Sequence, residues 1–204
     1  MTFSWDSSRA AYADAAGWFV RTATLVTDRW DRPGLGEWDV RALVGHTSRA
    51  LLTVETYLAR PAPAAEVASA TDYFRATRAA AAGAAVAARG RDAGAALGSD
   101  PAAAVAQIAA RVLALIGTQD GTELVTTIAG GMQLGDYLPT RTFELAVHTA
   151  DLATALGVPP DVPAAAAAQA LDIVADLAVT DGLAGPLLLT ATGRPALPAG
   201  FSVL

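Results

Sequence analysis

The chain has 204 residues and no cysteine. Disulfides, thiolate metal ligands and a protein-borne thiol nucleophile are therefore excluded, so any thiol chemistry must use a thiol carried in by a cofactor. Basic residues are also scarce. Lys+Arg total 14 against 20 Asp+Glu, giving a net charge of -6 and a pI near 4.8, and the 14 do not cluster. Phosphate binding needs a basic face, so no nucleic-acid partner is expected. Long uninterrupted apolar runs are missing as well. Hydrophobic residues make up 53% and mean hydropathy is +0.36, but alanine, a helix former, supplies much of both. The most apolar run, PAAAAAQALDIVADLAVTDGL, is broken by Asp172, Asp176 and Asp181. No stretch offers the roughly 20 apolar residues of a membrane span. The start, MTFSWDSSRAAYADAAGWF, carries early charge and lacks the basic-then-apolar order of a signal peptide. A cytoplasmic protein without a membrane partner is expected.

Most of the chain reads as helix. Apolar spacing predicts a first helix over 7–29, capped by Ser7 or Ser8, then a loop, TDRWDRPGLGEW. A second helix is predicted over 39–59 with Asp39 as its N-cap, ending before Pro61 and Pro63. A third, alanine-rich between Ala79 and Ala88, is predicted over 64–91, with Gly90 and Gly94 loosening the chain beyond it. The fourth, over 101–116, has Pro101 in its first turn. Residues 122–129 read as a strand, and Gly130-Gly131 as a turn that is no phosphate loop. A long helix is predicted over 140–156, ending at Gly157, and another over 164–179. The tail PLLLTATGRPALPAGFSVL reads as a strand, a turn and a second extended piece.

There are only two histidines, His46 and His148. Glu144 lies four residues before His148, so on a helix the two side chains are about 40° apart on one face. Two imidazoles and one carboxylate form a three-ligand set for zinc or a similar divalent ion, with a position left for water or a thiol. Arg141 and Asp151 fall on the same stripe. Asp151 can accept the second N–H of a liganding imidazole, and Arg141 can pair with Glu144 or Asp151 or face a carboxylate on a ligand. With 20 acids in 204 residues, about one histidine in ten has an acid four positions before it by chance. The spacing by itself therefore favours separate structural roles over a shared ion, although apolar neighbours (Phe143, Leu145, Val147 and Leu152; Leu43, Val44, Leu51 and Leu52) place both histidines on largely buried helices.

Two segments bear on that choice. PGLGEWDVRALVGHTSRA resembles the proline-, tryptophan- and histidine-containing signature near the start of the mycothiol-dependent maleylpyruvate isomerase family. RTFELAVHTADLATALG looks like the same family's second signature, and TGRPALPAGFSVL is similar to the tail of its short members. The resemblance implies a DinB-like four-helix bundle holding a divalent metal through His46, Glu144 and His148. Full isomerases of the family carry a larger C-terminal domain, whereas this chain has little after Pro160, which argues against maleylpyruvate itself as substrate.

The remaining candidates have plainer readings. Trp30 and Trp38 read as core plugs, and Arg75 and Arg78 as solvent-facing rather than anion-binding. Thr47 and Ser48 adjoin His46 in sequence but point away from it on a helix, which excludes a hydrolase triad. The expected architecture is mainly α: a DinB-like four-helix bundle over 1–160, with a small β-containing C-terminal extension over 161–204 packed on the same domain. The expected activity is that of a divalent-metal enzyme using a low-molecular-weight thiol, mycothiol first, for S-transfer or isomerisation of an electrophilic small molecule. The expected metal is zinc, with nickel, iron and manganese as alternatives. Ligands are His46, Glu144 and His148, Asp151 supports them, and Arg141 faces the cofactor. A metal-dependent hydrolase and a non-catalytic ligand- or partner-binding bundle are the competing readings. No catalytic residue is assigned, and a homodimer remains open.

Overall fold

A computed structural model describes residues 3–81 and 84–204. Its core is a ring of four helices. α1 (Trp5–Thr24) packs on α6 (Leu134–Leu156), α6 on α2 (Val40–Leu58), α2 on α5 (Pro101–Ile116), and α5 back on α1. Each helix contributes fully buried residues to one core, among them Tyr12, Phe19, Leu43, Leu51, Ile116, Leu138 and Leu152. Among the described residues no single helix is long and apolar enough to cross a membrane.

Capping chemistry sets several boundaries. The Asp39 carboxylate accepts from Ala42 N at 2.7 Å, so α2 begins where its sequence places it. Asp100 does the same for α5, with Pro101 at the first helical position. At the start of α1 the cap is Ser4 rather than Ser7 or Ser8, its hydroxyl accepting from Ser7 N, and the helix stops at Thr24, five residues short of the expected end. α6 starts at Leu134, six residues before the expected position, and carries Pro139 as its sixth residue, where the ring removes one i→i−4 hydrogen bond without ending the helix. Gly157, in the left-handed conformation, ends α6 as predicted.

The middle of the chain departs most from expectation. Instead of one helix over 64–91, residues Pro61 and Val67 bridge to Val125 and Met132. Ser69 then caps a new helix, α3 (Ala70–Thr77), followed by a 3-10 turn (Arg78–Ala81) and α4 (Ala84–Ala96). Part of the alanine tract lies outside the described residues. Alanine propensity lost here to Ser69, whose hydroxyl accepts from Asp72 N, and to pairing of the preceding segment with a hairpin. That hairpin joins β3 (Leu124–Thr127) to β4 (Gly130–Gln133), so the expected turn at Gly130-Gly131 begins a strand. A smaller hairpin, β1 (Pro33–Leu35) with β2 (Trp38–Asp39), leads into α2.

Gly90 and Gly94 do not loosen the chain; they lie within α4 and let it press against α2. A Cβ on Gly45 would fall 2.1 Å from the Gly94 backbone N, and one on Gly94 would fall 2.7 Å from Arg41 O. The two helices cross backbone to backbone at this point, one residue before His46.

The β-containing part lies in these two hairpins and not in the C-terminal extension. α7 (Ala164–Thr180) packs on α1 and α6 through Ala166, Ile173 and Leu177. Where a hairpin was expected, Ala184–Ala191 forms helix α8. The leucine-rich run favours helix, and Pro186 occupies the first turn, where proline is tolerated. The last residues return to the bundle without strand pairing, and Val203 is buried in the core.

Candidate metal centre

His46 sits on α2, two turns after the Asp39 cap, and Glu144 and His148 sit one turn apart on α6, the helix packed against α2. The packing brings one donor atom from each of the three to within 4.8 Å of the other two. Among the described residues this is the one group of three such side chains. The two imidazoles meet edge to face with ring centroids 4.8 Å apart. His148 Nε2 lies 3.2 Å from Glu144 Oε2, and its Nδ1 lies 3.1 Å from Asp151 Oδ2, so the ring is held between two carboxylates on its own helix.

His46 is held differently. Trp38 tilts over its ring at a centroid distance of 4.4 Å, and the indole N–H donates to Ala87 O on α4. The back of the indole rests on Gly90, where any Cβ would fall 2.6 Å from it. His46 Nδ1 is buried without a hydrogen-bond partner among the described residues. A buried polar atom is normally satisfied, and the donor chemistry of two imidazoles and a carboxylate fits a divalent ion.

The charges are set by these surroundings. Burial, aided by the neighbouring His148, lowers the His46 pKa to about 4, so its ring is neutral. Burial opposes charge on His148, but hydrogen bonds to Asp151 and Glu144 outweigh it and raise the pKa to about 9. For Glu144, burial works against the carboxylate, while His148 and Arg141 lower its pKa to about 2.

The three donors open into a cavity of about 800 Å³. Arg141 lines it and is itself 8% exposed. Its guanidinium lies between the rings of Tyr73 and Tyr137, at 5.2 and 4.9 Å, and its Nε donates to Thr140. It forms an ion pair with neither Glu144 nor Asp151. Arg49 also lines the cavity, and its guanidinium makes no hydrogen bond or ion pair with any described residue. Sequence reading missed Arg49, although its position three residues after His46 places it on the same helical stripe.

The remaining sequence candidates take other roles. Trp38 plugs the core and stacks on His46 at once, while Trp30 carries the Arg41 guanidinium at 5.6 Å. Arg75 and Arg78 face solvent as expected, and both also pair with Asp181 at the end of α7. Thr47 and Ser48 donate to carbonyls of their own helix, Leu43 O and Gly45 O, which leaves His46 without a serine or threonine partner.

Comparison with known proteins gives one match. A family model described as the mycothiol maleylpyruvate isomerase N-terminal domain matches residues 9–153, a span that runs from α1 into the last turn of α6 and takes in both histidines. No curated protein and no solved structure matches. Because the matched span is more than two-thirds of the chain and contains the whole four-helix ring but for its outermost turns, the protein belongs to the mycothiol maleylpyruvate isomerase N-terminal domain family, within the DinB-like superfamily.

Proposed function

We propose that this protein is a divalent-metal-dependent enzyme that activates a low-molecular-weight thiol, mycothiol first, for S-transfer to an electrophilic small molecule or its isomerisation. The observation that carries the reading is the meeting of His46, Glu144 and His148 at the cavity wall, with a buried His46 nitrogen that has no hydrogen-bond partner among the described residues. Those three residues would hold the ion. When bound, a divalent ion supplies a Lewis acid that lowers the pKa of a coordinated thiol toward neutrality. The absence of cysteine from the chain accords with a nucleophile that arrives on a cofactor.

The chain's own residues do the rest. Asp151 accepts the Nδ1–H of His148 and fixes which nitrogen faces Glu144. Trp38 orients His46 by packing alone. Arg141 and Arg49, two guanidinium groups without a carboxylate partner, anchor an acidic group on the electrophile or the thiol. Tyr73, Phe74 and Phe143 wall the site with aromatic surface and limit water around the reacting sulfur.

The first test is metal content by plasma mass spectrometry on protein purified without a histidine tag, alongside a His148→Ala variant. We expect about one ion per chain in the parent and close to none in the variant. The loaded protein is then expected to convert an electrophile only when mycothiol is present, consuming the thiol in S-transfer and regenerating it in isomerisation. Metal binding with thiol-independent ester or amide hydrolysis would replace this reading with a hydrolase, and no metal uptake at all would remove it.

A further inference from the structure

The cavity has a wall that neither the family match nor the bundle supplies. Residues 201–204 return from the far side of α8, and Leu204 lines the same cavity as His46 and Glu144. Val203, one position earlier, is 9% exposed and joins the core, and Phe201 packs against that core. Between Arg194 and Gly200, by contrast, all residues but one are exposed. The segment is thus docked at its end and exposed before it.

One side chain supplies the polar part of that docking. Arg78, in the 3-10 turn after α3, donates to Val203 O at 3.0 Å and also to Asp181 at the end of α7. Arg75 reaches the other oxygen of Asp181 at 3.3 Å. Arg78 itself lines the cavity. The guanidinium therefore ties three pieces together at the cavity's edge: the 3-10 turn, the end of α7 and residues 201–204.

We infer that residues 201–204 form a wall of the substrate cavity, pinned by Arg78 and Val203, and that Leu204 sets the size of the molecule that reaches the floor. The inference rests on reading this cavity as the place where the electrophile binds. Its test needs neither metal nor substrate, so it can fail while the metal reading stands, and the reverse.

Because the chain has no cysteine, one introduced thiol reports access without background. Ala50, 3% exposed and one turn beyond His46, lines the cavity floor. In an Ala50→Cys protein, alkylation rates are measured with N-ethylmaleimide and with the much larger fluorescein-5-maleimide. Adding Val203→Asp, or separately Arg78→Gln, is expected to raise the rate with the large reagent by about tenfold and that with the small one by less than about twofold, because only the wall is released. Leu204→Trp is expected to slow the large reagent further. Unchanged rates in all three variants would overturn the wall. So would equal acceleration of both reagents, which would mark residues 201–204 as a staple of the bundle and not a boundary of the cavity. Circular dichroism on each variant confirms that the bundle remains folded, and Leu204→Trp, at a residue that is 46% exposed and outside the core, keeps the test decisive if Val203→Asp unfolds.

Discussion

The α6 side of the centre and its α2 side hold their histidines by opposite means. On α6, His148 is clamped by two carboxylates one turn to either side, and both hydrogen bonds lie within one helix. On α2, His46 has no hydrogen bond from Nδ1 and is kept in place by Trp38, which in turn leans on Gly90 of a third helix. The first arrangement is local and polar, and the second is long-range and steric. Local polar patterns leave a signature at fixed sequence spacing, whereas steric support from a distant helix does not. The two sides should also break differently.

The largest expected effect is on the α2 side. Gly45→Ala would drive a methyl into the Gly94 backbone, with a nominal contact of 2.1 Å that no side-chain rotation can relieve. Helix propensity favours alanine by about 1 kcal/mol, but overpacking between backbones should exceed it and leave a net loss of about 3 kcal/mol. Urea denaturation checks this, and an unchanged midpoint would mean that α4 can move away from α2 without cost.

On the α6 side, Asp151→Asn keeps the shape and a neutral amide oxygen but removes the negative charge that faces the His148 Nδ1 proton. Metal affinity should fall by about 10–100-fold while the apo fold stays intact. Competition with a chromogenic chelator reads this directly. A smaller effect is expected from Gly90→Ala. The added methyl displaces the Trp38 indole, a side chain and not backbone, and helix propensity offsets most of the clash. Thermal stability should move by less than about 1 kcal/mol, while Trp38 emission shifts and metal affinity drops several-fold through the loosened His46. If Gly90→Ala leaves affinity untouched, packing is not what positions His46.

The same contrast explains how much could be read in advance. Glu144, His148 and Asp151 were legible because a helix converts spacing of three and four residues into proximity. The Asp39 cap, the Pro101 start and the Gly157 stop were legible for similar local reasons. The break at Ser69, the burial of Gly90 and Gly94 against α2 and Trp38, and the return of residues 201–204 to the cavity all depend on partners far away in sequence. The alanine tract misled because propensity is small per residue and tertiary pairing overrides it. The C-terminal leucines were read as strand because a short apolar run carries no periodicity to distinguish strand from helix. Arg49 was missed for another reason: its place on the His46 stripe was legible, but nothing in the sequence shows that its guanidinium lacks an ion-pair partner.

The sharpest test of the comparison is the pH dependence of the chelated protein. The folded pKa of His148, about 9, lies above its ordinary value of 6.5, so its contribution to stability is fully present below about pH 6.5 and is lost as pH rises toward 9. The folded pKa of His46, about 4, lies below the ordinary value, so its contribution is present above about pH 6.5 and is lost as pH falls toward 4. Glu144, lowered to about 2, adds a loss of the same sign below about pH 4.5. The two histidines therefore tilt stability in opposite directions around a maximum near pH 6.5, each by no more than about 1.4 kcal/mol per pH unit. His148→Gln should flatten the alkaline arm. It should also soften part of the acid arm, because charge on His148 is one of the causes that lower the His46 pKa. His46→Gln should flatten the arm between pH 6.5 and 4.5 and leave the alkaline arm standing. Thermal unfolding followed by circular dichroism from pH 4 to 9.5 measures both arms. A single sloping curve that neither variant alters would mean that the two sides of the centre are not held by different forces.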